Sequence, residues 1–331
     1  MATPYANAVR AGTMAAARVH RDLDLRDAIE ARGGNVDVFA AIQAVDLPLL
    51  LRPLQGLLGA YLNRPGHGVL ITTQRPMSIQ RFTAAHELGH FIMRHEPSLD
   101  DESILRRMPA TSAPPGDLQE VEADAFASAF MLPRWLLGWH ASRQAWTVDS
   151  FRKPSAVYQL SLRIGASYEA TCWTLARNQL LEAKQVRELL QTQPRELKAG
   201  LLSTYRPENY RGDVWLLTER DAGTRIDGSR NDLFVLRLKE HRIPGGMPDH
   251  RAIREGMLNA VGHFHTFRPM TIDLAGDPDA DIRVLFMRAS EPRADQPCGG
   301  LDNGGRMNLR VGAGVVDELG SEDGGLGGQG R

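Results

Sequence analysis

The sequence predicts an α+β protein in which a small sheet accompanies motif-bearing helices, followed by a helical stretch and then a β-rich C-terminal part. Three observations lead there. Helix-forming segments flank three short strand-like runs ahead of residue 75. Two further helical segments carry histidines and carboxylates at ligand spacing. From Asp213 the pattern changes to VWLLT, DLFVLRL and DIRVLFM, strand-like runs broken by Gly, Asp and Pro. The expected division is residues 1–145, a helical, helix-turn-helix-like region at 146–207, a β-rich domain at 208–315 and a disordered Gly-rich tail at 316–331.

Residues 1 to about 45 read as helices, charged from Asp22 to Arg32 and apolar from Val36 to Val45. Strands are expected at Leu49–Leu51, Leu57–Leu62 and Val69–Thr73, punctuated by Pro53, Gly56 and Pro65-Gly66. After Pro76, SIQRFTAAHELGHFIMRH has helical composition and sets Ile79, Phe82, Gly89 and Met93 near one stripe, as an amphipathic helix would. The stretch from Pro97 to Gly116, with Pro109, Pro114 and Pro115, reads as a mobile loop. A second helix should run from about Leu118 to Met131, with Asp117 as its N-cap, and stop before Pro133. More helix follows to about Leu202.

Charge and composition exclude several classes. Lys plus Arg number 39 against 40 Asp plus Glu, so no chain-wide field gathers nucleic acid or anionic membrane, and neither is expected as a direct partner. Cys172 and Cys298 form no CxxC pair, which argues against a disulfide framework or a Cys-rich zinc site and fits a reducing compartment. The N-terminal stretch lacks a secretory apolar region, and the run from Leu47 to Leu62 is broken by Arg52, Pro53 and Gln55. A cytoplasmic location is expected.

His86-Glu87-Leu88-Gly89-His90 is an HExxH pattern. On a helix, residues i and i+4 project from one face, so both imidazoles can bind one Zn²⁺ while Glu87 turns toward the side where an attacking water would sit. Zinc at a catalytic site takes three protein ligands and keeps an open position, so a third ligand is required. Glu120-Val121-Glu122-Ala123-Asp124 offers it from the second helix. Glu120 and Asp124 stand at i and i+4, so one can reach the metal while the other accepts the free N–H of a ligating histidine. Glu120 is the preferred ligand. Glu122, about 200° round the helix, is its rival, and a D-x-x-E capping box with Asp117 is the structural alternative for Glu120.

The stretch RFTAAHELGHFIMRH followed by EVEADAFASAFMLP resembles the ImmA/IrrE family of bacterial zinc metallo-endopeptidases, whose helices read RFTxAHELGH and ExEAxxFAxxLLMP. The resemblance covers about residues 25 to 140 and implies a zincin-like metallopeptidase domain. By position it implies His86, His90 and Glu120 as ligands of one Zn²⁺ per chain, Glu87 as the catalytic base, and Asp124 where the family often has Asn or Asp. Phe130-Met131-Leu132-Pro133 stands where LLMP is usual, a difference of packing. His95 resembles a histidine often found after the motif, for which a helix-end or structural role is expected. The implied function is cleavage of a partner protein, a DNA-binding transcriptional repressor.

Two weaker signals remain. AVYQLSLRIGASYEATCWTLARNQLL resembles a helix-turn-helix, with Gly165 at the turn and Ser167 opening the second helix. That helix offers only Arg177 against Glu169, so packing or partner recognition is expected rather than DNA reading. His263 and His265 could share one strand face but lack a companion ligand, which suggests a surface pair. The competing function is a zinc-fold sensor or anti-repressor that acts by binding alone; an intact Glu87 argues for catalysis.

Overall fold

The structure, a computed structural model, describes residues 3–101, 118–202, 212–221, 224–228, 232–237, 241–242, 261–265, 270–275 and 282–288. Three helices open the chain: α1 (Pro4–Asp22), α2 (Leu25–Arg32) and α3 (Val38–Ala44). Thr3 caps α1 by accepting the Ala6 N–H, and Asp37 caps α3 by accepting that of Ala40. Ala8, Gly12, Ala15 and Ala16 make most of the buried face of α1 small, with Val19 and His20 at its C-terminal end. A Cβ on Gly12 would run into the Glu122 carbonyl of a later helix, so this glycine sets how closely α1 can approach.

The first sheet combines β1 (Leu49–Arg52), β2 (Leu57–Leu62), β3 (Gly68–Thr72) and β4 (Ser98–Asp101) in the order β1-β3-β2-β4. β1 runs parallel to β3, and β2 is antiparallel to both β3 and β4. The first three strands fall where their apolar runs place them. β4 does not: its sequence, SLDD, was expected to be loop, because Asp is a poor strand former. Its pairing comes from the open edge of β2, with Leu99 opposite Ala60 and Ser98 opposite Tyr61. Residues 102–117, which include the rest of the expected loop and the expected Asp117 cap, lie outside the described residues.

The motif helix α4 (Met77–Met93) packs against β2, β3, α1, α3 and α5 (Leu118–Met131). Its residues from Thr83 to His90 are buried without interruption, so the expected amphipathic stripe does not divide an inner from an outer face. A stretch buried all round needs no polar side, so His86, Glu87 and His90 are polar groups placed in an apolar setting. Phe126 of α5 lies over Gly89, where a Cβ would meet its ring at 3.1 Å.

The chain continues through α6 (Arg134–Arg143), a 3-10 turn at Val148–Arg152, α7 (Pro154–Ile164), α8 (Tyr168–Arg177), α9 (Ala183–Leu189) and α10 (Pro194–Leu202). Gly165, at φ 70°, makes the left-handed turn between α7 and α8, and the Ser167 side chain caps α8 through the Ala170 N–H. One hydrophobic core runs from α1 through α9, so α7 and α8 bury Val157, Leu160, Ile164, Cys172 and Leu175 in the same core as the motif helix. No helix among the described residues is long and apolar enough to cross a membrane.

Beyond α10 the described elements are the strands β5 (Val214–Thr218), β6 (Arg225–Gly228), β7 (Leu233–Arg237), β8 (His241–Arg242), β9 (Val261–His265), β10 (Met270–Ala275) and β11 (Ile282–Arg288), with a 3-10 turn at Glu219–Asp221. They form sheets ordered β5-β7-β9 and β6-β10-β11-β8. Leu202, Val214, Leu233 and Val235 make a small core of their own. Three side chains of α7 grip β5. Gln159 donates to the Val214 carbonyl and accepts the Leu216 N–H, both at 2.8 Å, as a neighbouring strand would. The Tyr158 hydroxyl accepts the Val214 N–H. Arg163, nearly fully buried, donates to the Leu216 carbonyl and to both oxygens of buried Asp221. Cys298 and the expected tail at 316–331 lie outside the described residues.

Candidate metal centre

Burial and helix geometry bring His86, His90 and Glu120 together. On α4 the two imidazoles sit one turn apart, with their Nε2 atoms 3.0 Å from each other. From α5, Glu120 Oε2 lies 3.3 Å from His86 Nε2, and Oε1 lies 3.5 Å from His90 Nε2. One ligand atom from each of the three lies within 4.8 Å of the others. In a tetrahedral site with bonds of about 2.0–2.1 Å, ligand atoms are about 3.3 Å apart, and the trio is close enough for a single metal ion to be held between its members. Lone pairs brought this close repel one another unless a cation or a shared proton lies between them. The donor set, two imidazoles and one carboxylate, suits zinc.

The surrounding residues orient this set. Asp124 Oδ1 is 2.9 Å from His86 Nδ1, the nitrogen facing away from the ligand cluster. The expected i and i+4 pair on α5 is therefore divided as the spacing suggests, with Glu120 toward the histidine Nε2 atoms and Asp124 behind one of them. Glu122, the rival ligand, points elsewhere: its Oε2 is 2.8 Å from His95 Nε2. His95 follows the end of α4, as expected, and its Nδ1 also lies 3.0 Å from His90 Nδ1. Arg177, the one cation of α8, interacts electrostatically with Tyr5 and Asp124.

Glu87 is fully buried beside the two histidines. It lies against β2 at Gly59, where a Cβ would come within 2.6 Å of Glu87 Oε1 and 2.5 Å of Thr83 Cγ2. A glycine inside an otherwise apolar strand signals close approach by a neighbour, and LLGAYL carried that signal in the sequence, although the site reading above did not use it. Tyr61, two residues on, packs its ring parallel to that of His90, and its hydroxyl pairs with His67 Nδ1 at 2.8 Å. Burial, together with the negative charge of Glu96, raises the Tyr61 hydroxyl pKa and keeps it protonated.

Other sequence candidates do not join the centre. Among the described residues, His86, His90 and Glu120 form the one group of three such side chains close enough to hold a metal. The His263 and His265 side chains lie outside the description, although their backbone belongs to β9. Residues 54–176 match the family model Peptidase_M78, described as IrrE N-terminal-like domain. A comparison with curated proteins finds no match for the chain. The matched segment begins later than the resemblance read from the motifs and extends farther, through β2, the centre and nearly all of α8.

Proposed function

We propose, from the match of residues 54–176 to the Peptidase_M78 model of IrrE N-terminal-like domains, that the chain is a zinc-dependent endopeptidase cleaving a partner protein. The observation that carries the reading is the convergence of His86, His90 and Glu120 beside a buried Glu87. His86, His90 and Glu120 would hold the zinc, with Asp124 orienting His86. Bound there, Zn²⁺ would supply Lewis acidity, lowering the pKa of a water to about 7 and polarising the scissile carbonyl.

The chain's own part is proton transfer. Glu87 takes a proton from the attacking water and delivers it to the leaving amine nitrogen as the peptide bond breaks. The missing side chain of Gly59 leaves room for the Glu87 carboxylate against β2. The partner is proposed to be a DNA-binding transcriptional repressor, acted on in the cytoplasm. The helix-turn-helix-like segment supports a packing role rather than DNA reading, since Tyr168, Thr171, Cys172 and Leu175 of α8 face the core.

The test combines metal content with cleavage. Repressors encoded beside the gene would be incubated with the protein and the products identified by mass spectrometry. Purified chain is expected to hold about one zinc, Glu87→Gln to keep the metal but lose cleavage by at least about 100-fold, and Glu120→Ala to lose most of the metal. Cleavage undiminished in Glu87→Gln would remove Glu87 as the base, and a metal-free wild type would remove the zinc reading altogether.

A further inference from the structure

We propose that His95 and Glu122 form a relay that positions the metal-facing histidine His90, doing through an interposed imidazole what Asp124 does directly for His86. The proposal rests on the zinc reading above and adds two residues that the motif does not include.

The backbone brings His95 to this place. Arg94 ends α4 in the left-handed conformation, at φ 59° and ψ 43°, and its N–H returns to the His90 and Phe91 carbonyls. The His95 N–H then bonds to the His90 carbonyl at 2.9 Å. This paired helix ending turns the chain back on itself, so the fifth residue after His90 lies against the ring of His90 instead of moving away. The two rings meet edge to face with centroids 5.0 Å apart, and His95 is buried.

Proton bookkeeping gives the contact a direction. His90 turns Nε2 toward His86 and Glu120, so as a ligand its lone pair is there and its proton is on Nδ1. That Nδ1–H faces His95 Nδ1 at 3.0 Å, which must then be the acceptor. The His95 proton therefore sits on Nε2, where it donates to Glu122 Oε2 at 2.8 Å. Each proton has one place, and the chain of bonds ends on a carboxylate. Hydrogen bonds to the outward nitrogen of a ligating imidazole fix its tautomer and ring orientation and make it a better donor to the metal. Of the three acidic side chains on this turn of α5, one faces the metal position and the other two each serve one histidine.

Zinc affinity, measured by competition with a chromophoric chelator, tests the relay independently of proteolysis. His95→Gln keeps an acceptor and a donor on one planar group and is expected to bind within a few-fold of wild type. His95→Phe keeps the ring against His90 but has neither group, and Glu122→Ala removes the terminal acceptor; each is expected to weaken binding by about 10 to 100-fold. Circular dichroism and melting of the metal-stripped variants show whether each is folded. A role in packing alone would give the reverse order, with Phe close to wild type and Gln weak, and that result would overturn the relay. Equal affinity in all the folded variants would overturn it as well. A wild type that binds no zinc would remove the metal reading and the relay together. The peptidase reading is judged separately, by comparing cleavage in wild type and Glu87→Gln.

Discussion

Two buried histidines away from the centre make the fold sensitive to acid. His140 is buried on α6 and donates Nε2–H to the Gly34 carbonyl at 3.0 Å. Burial and the nearby charge of Arg163 push its pKa down to about 3, against the opposing pull of the Gly34 carbonyl. His20, held by the Phe130 carbonyl, is likewise lowered by burial. In both cases the folded pKa lies below that of the unfolded chain, about 6.5. The unfolded chain thus takes up protons that the folded one refuses, and stability present above about pH 6.5 is lost as the pH falls from there toward 3. His140→Gln can keep a donor for Gly34 without a titrating ring. Its denaturation free energy, measured in metal-stripped protein from pH 6.5 to 4.5, should fall less steeply than that of wild type, by up to about 1.4 kcal/mol per pH unit. Identical slopes would show that His140 is not charged on unfolding. At the same scale Cys172 is inert: burial raises its thiol pKa to about 12, so little thiolate exists at neutral pH.

Elements meet at this centre through glycines. Gly59 lets β2 lie against α4, Gly89 lets α4 lie against α5, and Gly12 lets α1 lie against α5. The first contact bears on chemistry, because a carboxylate oxygen of Glu87 is, with Thr83 Cγ2, one of the two atoms that Gly59 accommodates most closely. Gly59→Ala should push α4 and β2 apart, costing about 1–3 kcal/mol of stability. It should also shift Glu87 enough to lower kcat by at least about 10-fold. Zinc content should stay near one per chain, since His86, His90 and Glu120 lie on α4 and α5, and the atoms nearest an added methyl group belong to Thr83, Glu87 and Leu70. Unchanged kcat at full zinc occupancy would show that the Glu87 position tolerates the added methyl group.

At the scale of the whole molecule, the question is what the strands after α10 contribute. Every group proposed for chemistry lies before residue 125, and the core that holds them closes by α9. We therefore expect a chain of residues 1–205 to keep its zinc while losing recognition of its natural partner or an inhibitory constraint. It will not be as stable as the full chain. The cut removes β5, leaving Gln159 and Tyr158 without their strand, and takes Asp221 from the buried Arg163. Asp221→Asn in the full chain isolates the charge and should cost about 3–5 kcal/mol, the usual penalty for leaving a buried ion without its partner. Zinc analysis and thermal melting of both variants decide the matter. A folded 1–205 chain without zinc would mean that the later strands complete the metal centre.

Local chemistry is written in the chain, and much of this protein could be read from it. Helices α4 and α5, strands β1 to β3, the Gly165 turn and the Ser167 cap follow from apolar spacing, Pro, Gly and capping residues, which act over a few positions. HExxH brought His86 and His90 to one face because their spacing is that of a helical turn, and the i and i+4 carboxylates on α5 fell as that same period suggests. Tertiary structure decided what lies opposite what. SLDD became β4 because β2 offered an open edge, and α4 lost its outer face because other elements surround it. Glu122 and His95 are 27 positions apart, and only the packing of α5 on the reversed end of α4 brings them to 2.8 Å. The physical reason is range: propensity and periodicity act between neighbours along the chain, whereas the partner of a buried polar group is chosen by which elements pack together to exclude water.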